Sequence, residues 1–129
     1  MALPLFIAIY LTPASKQALL AAVPPKHTKV YAEHLTVCFK PHDIIVEQYA
    51  SRIGTVVPIT IEGVAEDEKG QAVFVREQLY RLDKGVAHIT ISCAEGVPPK
   101  YSAELFNNGY KPLPMALHLA GSLEWNRLR

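Results

Sequence analysis

Two stretches, Tyr31–Phe39 (YAEHLTVCF) and Val86–Cys93 (VAHITISC), carry the same short pattern. His34-Leu35-Thr36-Val37 and His88-Ile89-Thr90-Ile91 each read as histidine, any residue, threonine, aliphatic. Both sit inside strand-like apolar runs. Side chains alternate between the two faces of a strand, so His34 and Thr36 share one face while Leu35, Val37 and Phe39 share the other. The same rule groups His88, Thr90 and Ser92 opposite Ile89, Ile91 and Cys93. Each strand therefore offers an imidazole and a hydroxyl about 7 Å apart, two residues of strand rise, backed by an apolar face that anchors them. Two such strands side by side surround one anionic group with two imidazoles and two hydroxyls. That is the outline of a phosphate site.

Working outward, Leu5–Leu11 reads as a first strand, rich in β-branched and aromatic residues before a Thr12-Pro13 boundary. Thr12 is a natural N-cap with proline in the first turn, and Leu19, Leu20 and Val23 recur at helical spacing until Pro24-Pro25 stops the helix. The loop Lys26-His27-Thr28-Lys29 is the most basic local cluster and leads into the first motif strand. Pro41-His42-Asp43 begins a short amphipathic helix carrying Ile44, Ile45, Gln48 and Tyr49. Residues 55–64 and 72–78 flank the acidic tip Glu66-Asp67-Glu68-Lys69-Gly70 as a β-hairpin. Pro58 marks the first hairpin strand as an edge, bent or bulged nearby. After the second motif strand, 95–100 form a loop, and Ser102 caps a short helix through Phe106 that Asn107-Asn108-Gly109 ends. Residues 115–123 alternate as a last strand, and 124–129 read as a frayed tail. The expected class is α+β in one domain, 1–129, each half contributing a motif strand followed by a short helix.

Composition narrows the function. The 129 residues are half hydrophobic with a formal net charge of +1, which fits one globular domain. A nearly neutral chain gives no global electrostatic case for duplex DNA, though a local pocket for a small or single-stranded phosphate ligand remains open. The two cysteines, Cys38 and Cys93, fall by parity on a polar and an apolar face. They make no disulfide framework, and a reducing cytoplasm is the expected setting. The apolar run Leu3–Leu11 is too short to span a membrane and lacks a basic leader, so it is expected to be a buried strand.

An imidazole with a pKa near neutrality can take a proton from a nucleophile or give one to a leaving oxygen. Phosphodiester cleavage needs both acts, on opposite sides of phosphorus, and His34 and His88 can divide them. Thr36 and Thr90 can donate hydrogen bonds to the non-bridging oxygens. No metal and no cofactor is called for, and neither HExxH nor CxxC occurs. Tyr10, Tyr31 and Tyr101 are candidates to stack on a nucleobase, with Tyr10 and Tyr101 favoured. Lys100, like Lys40, lies close enough to a motif to steer phosphate. His27, His42 and His118 lack a recurring pattern and read as structural or surface residues. Lys26, Lys29, Arg76, Arg81 and Lys84 read as solvated charges.

The paired motifs resemble those of the 2H phosphoesterase superfamily. LFIAIYLTPASKQALLAAVP is similar to the opening strand and helix of bacterial RNA 2′,3′-cyclic phosphodiesterases. HITISCAEGVPPKYSAELF is similar to the second-motif segment of the cyclic phosphodiesterase domain of fungal-type tRNA ligases. The resemblance implies a bilobal fold, with pseudo-two-fold antiparallel sheets around a central cleft. It implies a metal-independent phosphodiesterase with His34 and His88 as acid and base and Thr36 and Thr90 as phosphate ligands. The expected substrate is an RNA end or nucleotide bearing a 2′,3′-cyclic phosphate, with no membrane partner. Two alternatives stand beside it: a 2H enzyme degrading 2′,5′-linked or cyclic oligonucleotide messengers, and a non-catalytic module that binds RNA ends or nucleotides.

Overall fold

In the computed structural model, which describes residues 4–82 and 85–127, the helices and strands alternate in the order the sequence suggests. The chain runs β1 (Pro4–Leu11), α1 (Pro13–Ala22), β2 (Lys29–Val30), β3 (His34–Phe39), α2 (Asp43–Ala50), β4 (Val56–Glu66), β5 (Gly70–Val75), β6 (His88–Cys93), α3 (Ser102–Leu105) and β7 (Lys111–Arg127). Single 3-10 turns cover 78–80, 99–101 and 106–108. Leu3, Lys84 and the last two residues of the expected tail lie outside the described residues.

Local chemistry sets several boundaries. The Thr12 hydroxyl accepts the Ser15 N–H at 3.2 Å, Pro13 occupies the first turn, and α1 ends at Val23 ahead of Pro24-Pro25. All strand pairs are antiparallel, in the order β2-β6-β3-β1-β7-β4-β5. An added β5–β6 pairing closes this one sheet into a barrel-like ring. Ile7, Ile9, Leu35, Ile59, Ile61, Ile89, Ile91 and Leu123 fill its core, with Leu19 of α1 and its C-cap Val23 packed on them. Each such side chain contributes about 1.5–3 kcal/mol by leaving water. Among the described residues no helix is long and apolar enough to cross a membrane.

The first motif strand is shorter than its pattern. Tyr31 and Ala32 donate their N–H groups to Ile91 and Thr90 carbonyls, whereas Glu33 offers its carbonyl to the Leu11 N–H. The chain changes neighbour there, and Ala32 makes the turn at a positive φ of 54°. Further along, Ala8 pairs with Thr36 but Ile7 with Cys38, so Val37 is an extra residue on β3. This β-bulge reverses the alternation. Cys38 enters the core at 6% exposure, and Phe39, assigned by parity to the buried face, is 52% exposed. On β6, Ala72 pairs with Thr90 but Gln71 with Ser92, leaving Ile91 extra. Both bulges thus fall on the aliphatic residue that ends the motif. The neighbours match too: Tyr10 lies opposite His34, and Phe74 opposite His88.

Three other expectations are corrected. Residues 124–127 are not frayed, because they continue β7 and pair with β1, Trp125 opposite Ile7. Ser102 does not cap a helix, because the 3-10 turn before it already supplies helical backbone; its hydroxyl instead accepts one from Thr90. Pro58 does sit where β4 has only β7 for a partner, with its carbonyl taking the Tyr80 hydroxyl at 2.8 Å, but the bulge comes later, between Ile61 and Gly63.

Candidate active site

One backbone pairing assembles the site. Leu35 of β3 lies opposite Ile89 of β6, and both side chains are fully buried. In antiparallel register the next positions face each other, which sets His34 beside Thr90 and Thr36 beside His88 on the opposite face of the sheet. Directly opposed positions are about 4.5–5.5 Å apart and diagonal ones about 7–8 Å. The four groups therefore form a small square with the histidines on one diagonal. All four line a single cavity of about 620 Å³.

Each imidazole is braced differently. His34 is stacked on Phe6, with ring centroids 5.6 Å apart and planes 20° apart, and Tyr10 lies 5.3 Å away at a tilt. Burial among these rings pushes the His34 pKa below its ordinary 6.5, against the opposing pull of the Glu33 carboxylate. His88 donates Nδ1–H to the Val86 carbonyl at 2.7 Å, since a carbonyl can only accept. That bond assigns the tautomer and leaves Nε2 as the atom that exchanges a proton. Phe106 stands 5.6 Å from this ring. Thr90 donates its hydroxyl to Ser102 at 2.8 Å, and Ser102 is completely buried at the start of α3.

The depressed pKa of His34 carries a sign for stability. The unfolded chain binds the proton more readily than the folded one below pH 6.5, so the neutral ring's contribution is fully present above that pH and is lost as pH falls toward the folded value. A native melting midpoint that drops on acidification from pH 7 to 5, with a shallower drop in His34→Phe, is the expected result. Equal slopes in the two proteins would contradict it.

The remaining candidates divide. Lys100, on the 99–101 turn, lines the cavity. Tyr10 and Tyr101 do not. Tyr10 packs at a tilt against the His34 ring, and Tyr101 donates its hydroxyl to the Asp67 carboxylate at the tip of the β4–β5 hairpin. That bond raises the Tyr101 pKa to about 12. The aromatic residues that do line the cavity are Phe6, Tyr31 and Phe39. Arg81 also lines it, and its Nη1 donates to the same Val86 carbonyl as His88, at 3.3 Å. Its only advance signal is that it precedes the second motif by a short loop. His27 ties its loop to the Asp67 carbonyl at 3.0 Å, and His42 and His118 are exposed. Among the described residues, no three His, Cys, Asp or Glu side chains gather as a metal site would require. Neither the protein-family models nor the curated proteins compared with this chain match it.

Proposed function

We propose that this protein is a phosphodiesterase that opens the 2′,3′-cyclic phosphate of an RNA end or nucleotide, using His34 and His88 as base and acid. The observation that carries this reading is the diagonal placement of the two imidazoles, with a threonine beside each, in one cavity. His34, held toward its neutral form by burial, takes a proton from water as that water attacks phosphorus. His88 gives a proton from Nε2 to the departing 3′ oxygen, and the product keeps its phosphate on the 2′ oxygen. Thr36 donates to a non-bridging oxygen, Thr90 does the same once the Ser102 hydroxyl turns to donate to it and frees its single proton, and Arg81 and Lys100 offset the phosphate charge. Ser102 holds Thr90 in place by the bond between their hydroxyls. The repeated bulge after each threonine and the aromatic residue opposite each histidine support a two-lobed arrangement of the 2H kind.

A second reading takes a 2′,5′-linked or cyclic oligonucleotide as substrate. It is favoured by cavity lining on both sides of the motif square, Tyr31 and Glu33 beyond one pair and Phe39 and Arg81 beyond the other. The test is turnover in EDTA of nucleoside 2′,3′-cyclic phosphates, 2′,5′-oligoadenylate and cyclic di- and trinucleotides. Turnover of the cyclic phosphates with a 2′-phosphate product is expected. Selective turnover of the oligonucleotides would transfer the assignment to them, and tight binding without turnover of any would make the protein a binding module.

A further inference from the structure

A carboxylate beside a phosphate repels the ligand's charge, yet Glu33 lines this cavity next to His34. Its position is built into the backbone. Ala32, which is fully buried, holds a positive φ of 54° that a residue with a Cβ adopts only at a cost. Three backbone bonds keep it there. The Tyr31 and Ala32 N–H groups reach the Ile91 and Thr90 carbonyls, and the Leu11 N–H reaches the Glu33 carbonyl, each at 2.8 Å. The result turns Ala32 into the core and leaves both Tyr31 and Glu33 on the cavity wall. Among the described residues the Glu33 carboxylate has no hydrogen-bond or ion-pair partner. A strained, pinned segment that presents an aromatic ring and an exposed carboxylate, with no hydrogen-bond partner among the described residues, to a ligand cavity fits a ligand edge that donates hydrogen bonds.

We infer that this end of the cleft is a nucleobase subsite selective for guanine, with Glu33 accepting from the base edge and Tyr31 and Pro99 lining its faces. The inference rests on the phosphodiesterase reading of the same cavity. An ionised carboxylate only accepts, and it accepts best from two adjacent donors. Guanine alone among the RNA bases offers two neighbouring donors on its pairing edge, N1–H and the exocyclic amine. Adenine and cytosine set a lone pair beside their amine, and uracil flanks its single N–H with two carbonyls. Against those edges the Glu33 charge is repulsive as well as unpaired.

The test compares kcat/KM for guanosine, adenosine, uridine and cytidine 2′,3′-cyclic phosphates in the native protein and in Glu33→Gln. Guanosine should be preferred by about tenfold or more, as a bidentate base contact gives. In the variant that preference should collapse and adenosine should gain, because an amide offers the acceptor and donor that adenine's edge matches. Taking the ratio between bases cancels any effect of the Glu33 charge on His34. Turnover with equal kcat/KM for guanosine and adenosine, or a ratio unmoved in Glu33→Gln, would overturn the subsite while leaving the phosphodiesterase reading intact. Calorimetric titration with guanosine and adenosine 2′-phosphates reads the subsite without turnover. Tighter binding of the guanosine compound, lost in Glu33→Gln, supports it; equal binding, or none, overturns it.

Discussion

Replacing His34 or His88 by alanine is expected to lower kcat/KM on a 2′,3′-cyclic phosphate at least about a hundredfold each, with EDTA changing nothing in any of the three proteins. The expectation follows from the square of side chains around the Leu35–Ile89 pairing, in which neither histidine has a substitute. Lys100 and Arg81 line the same cavity, where they can balance the charge of a phosphate. If both imidazoles act in one transition state, the double variant should fall less than the product of the single losses. His118→Ala serves as the control, since that residue is exposed on β7 opposite Thr60 and should leave turnover unchanged. His34→Ala also removes the ring that Phe6 and Tyr10 pack on, so its loss must be read at a temperature where a melting curve shows it folded. Full activity without either imidazole, or activity abolished by EDTA, would end the mechanism.

The parts of this site that were legible in the sequence are those that depend on one strand at a time. Alternation places His34 with Thr36 and His88 with Thr90, and it holds because those residues precede the bulges. It fails immediately after them. Cys38 and Phe39 exchange faces because Val37 is the surplus residue opposite the Ile7–Ala8 step, and that surplus is a property of the pairing with β1. Nothing in HLTVCF alone announces it. The boundaries of α1 are readable because Thr12, Pro13 and the Pro24-Pro25 pair act through their own backbone. Tyr101 and Arg81 escape a strand-by-strand reading for a different reason, because nearness along the chain is not nearness in space. A 3-10 turn rotates the chain by about a third of a turn per residue, so Lys100 and its neighbour Tyr101 leave it in different directions, one to the cavity and one to Asp67. Arg81 lines the site with its Nη1 on the same Val86 carbonyl that anchors His88.

Truncating the seam between the motif strands should harm the protein twice. Leu35→Ala and Ile89→Ala each remove a fully buried side chain and are expected to cost about 2–5 kcal/mol of stability. A loss of that size lowers the denaturation midpoint but need not unfold a domain of ordinary stability. Ile59→Ala should cost a similar amount, because Ile59 is also fully buried. The two kinds of variant should then part company in activity. Ile59 belongs to β4, which pairs with β7 along an extended register from Val56 to Val64, so a gap there is spanned by bonds on either side. Between β3 and β6 the register holds the single pair Leu35–Ile89, and the diagonal of the two histidines depends on it. Catalytic groups tolerate little displacement from their productive geometry. Measured on folded protein, well below each variant's melting temperature, kcat should therefore fall about tenfold or more in Leu35→Ala and Ile89→Ala and stay near the native value in Ile59→Ala. Equal kcat across all three at matched stability loss would mean that something other than this seam holds the imidazoles in register.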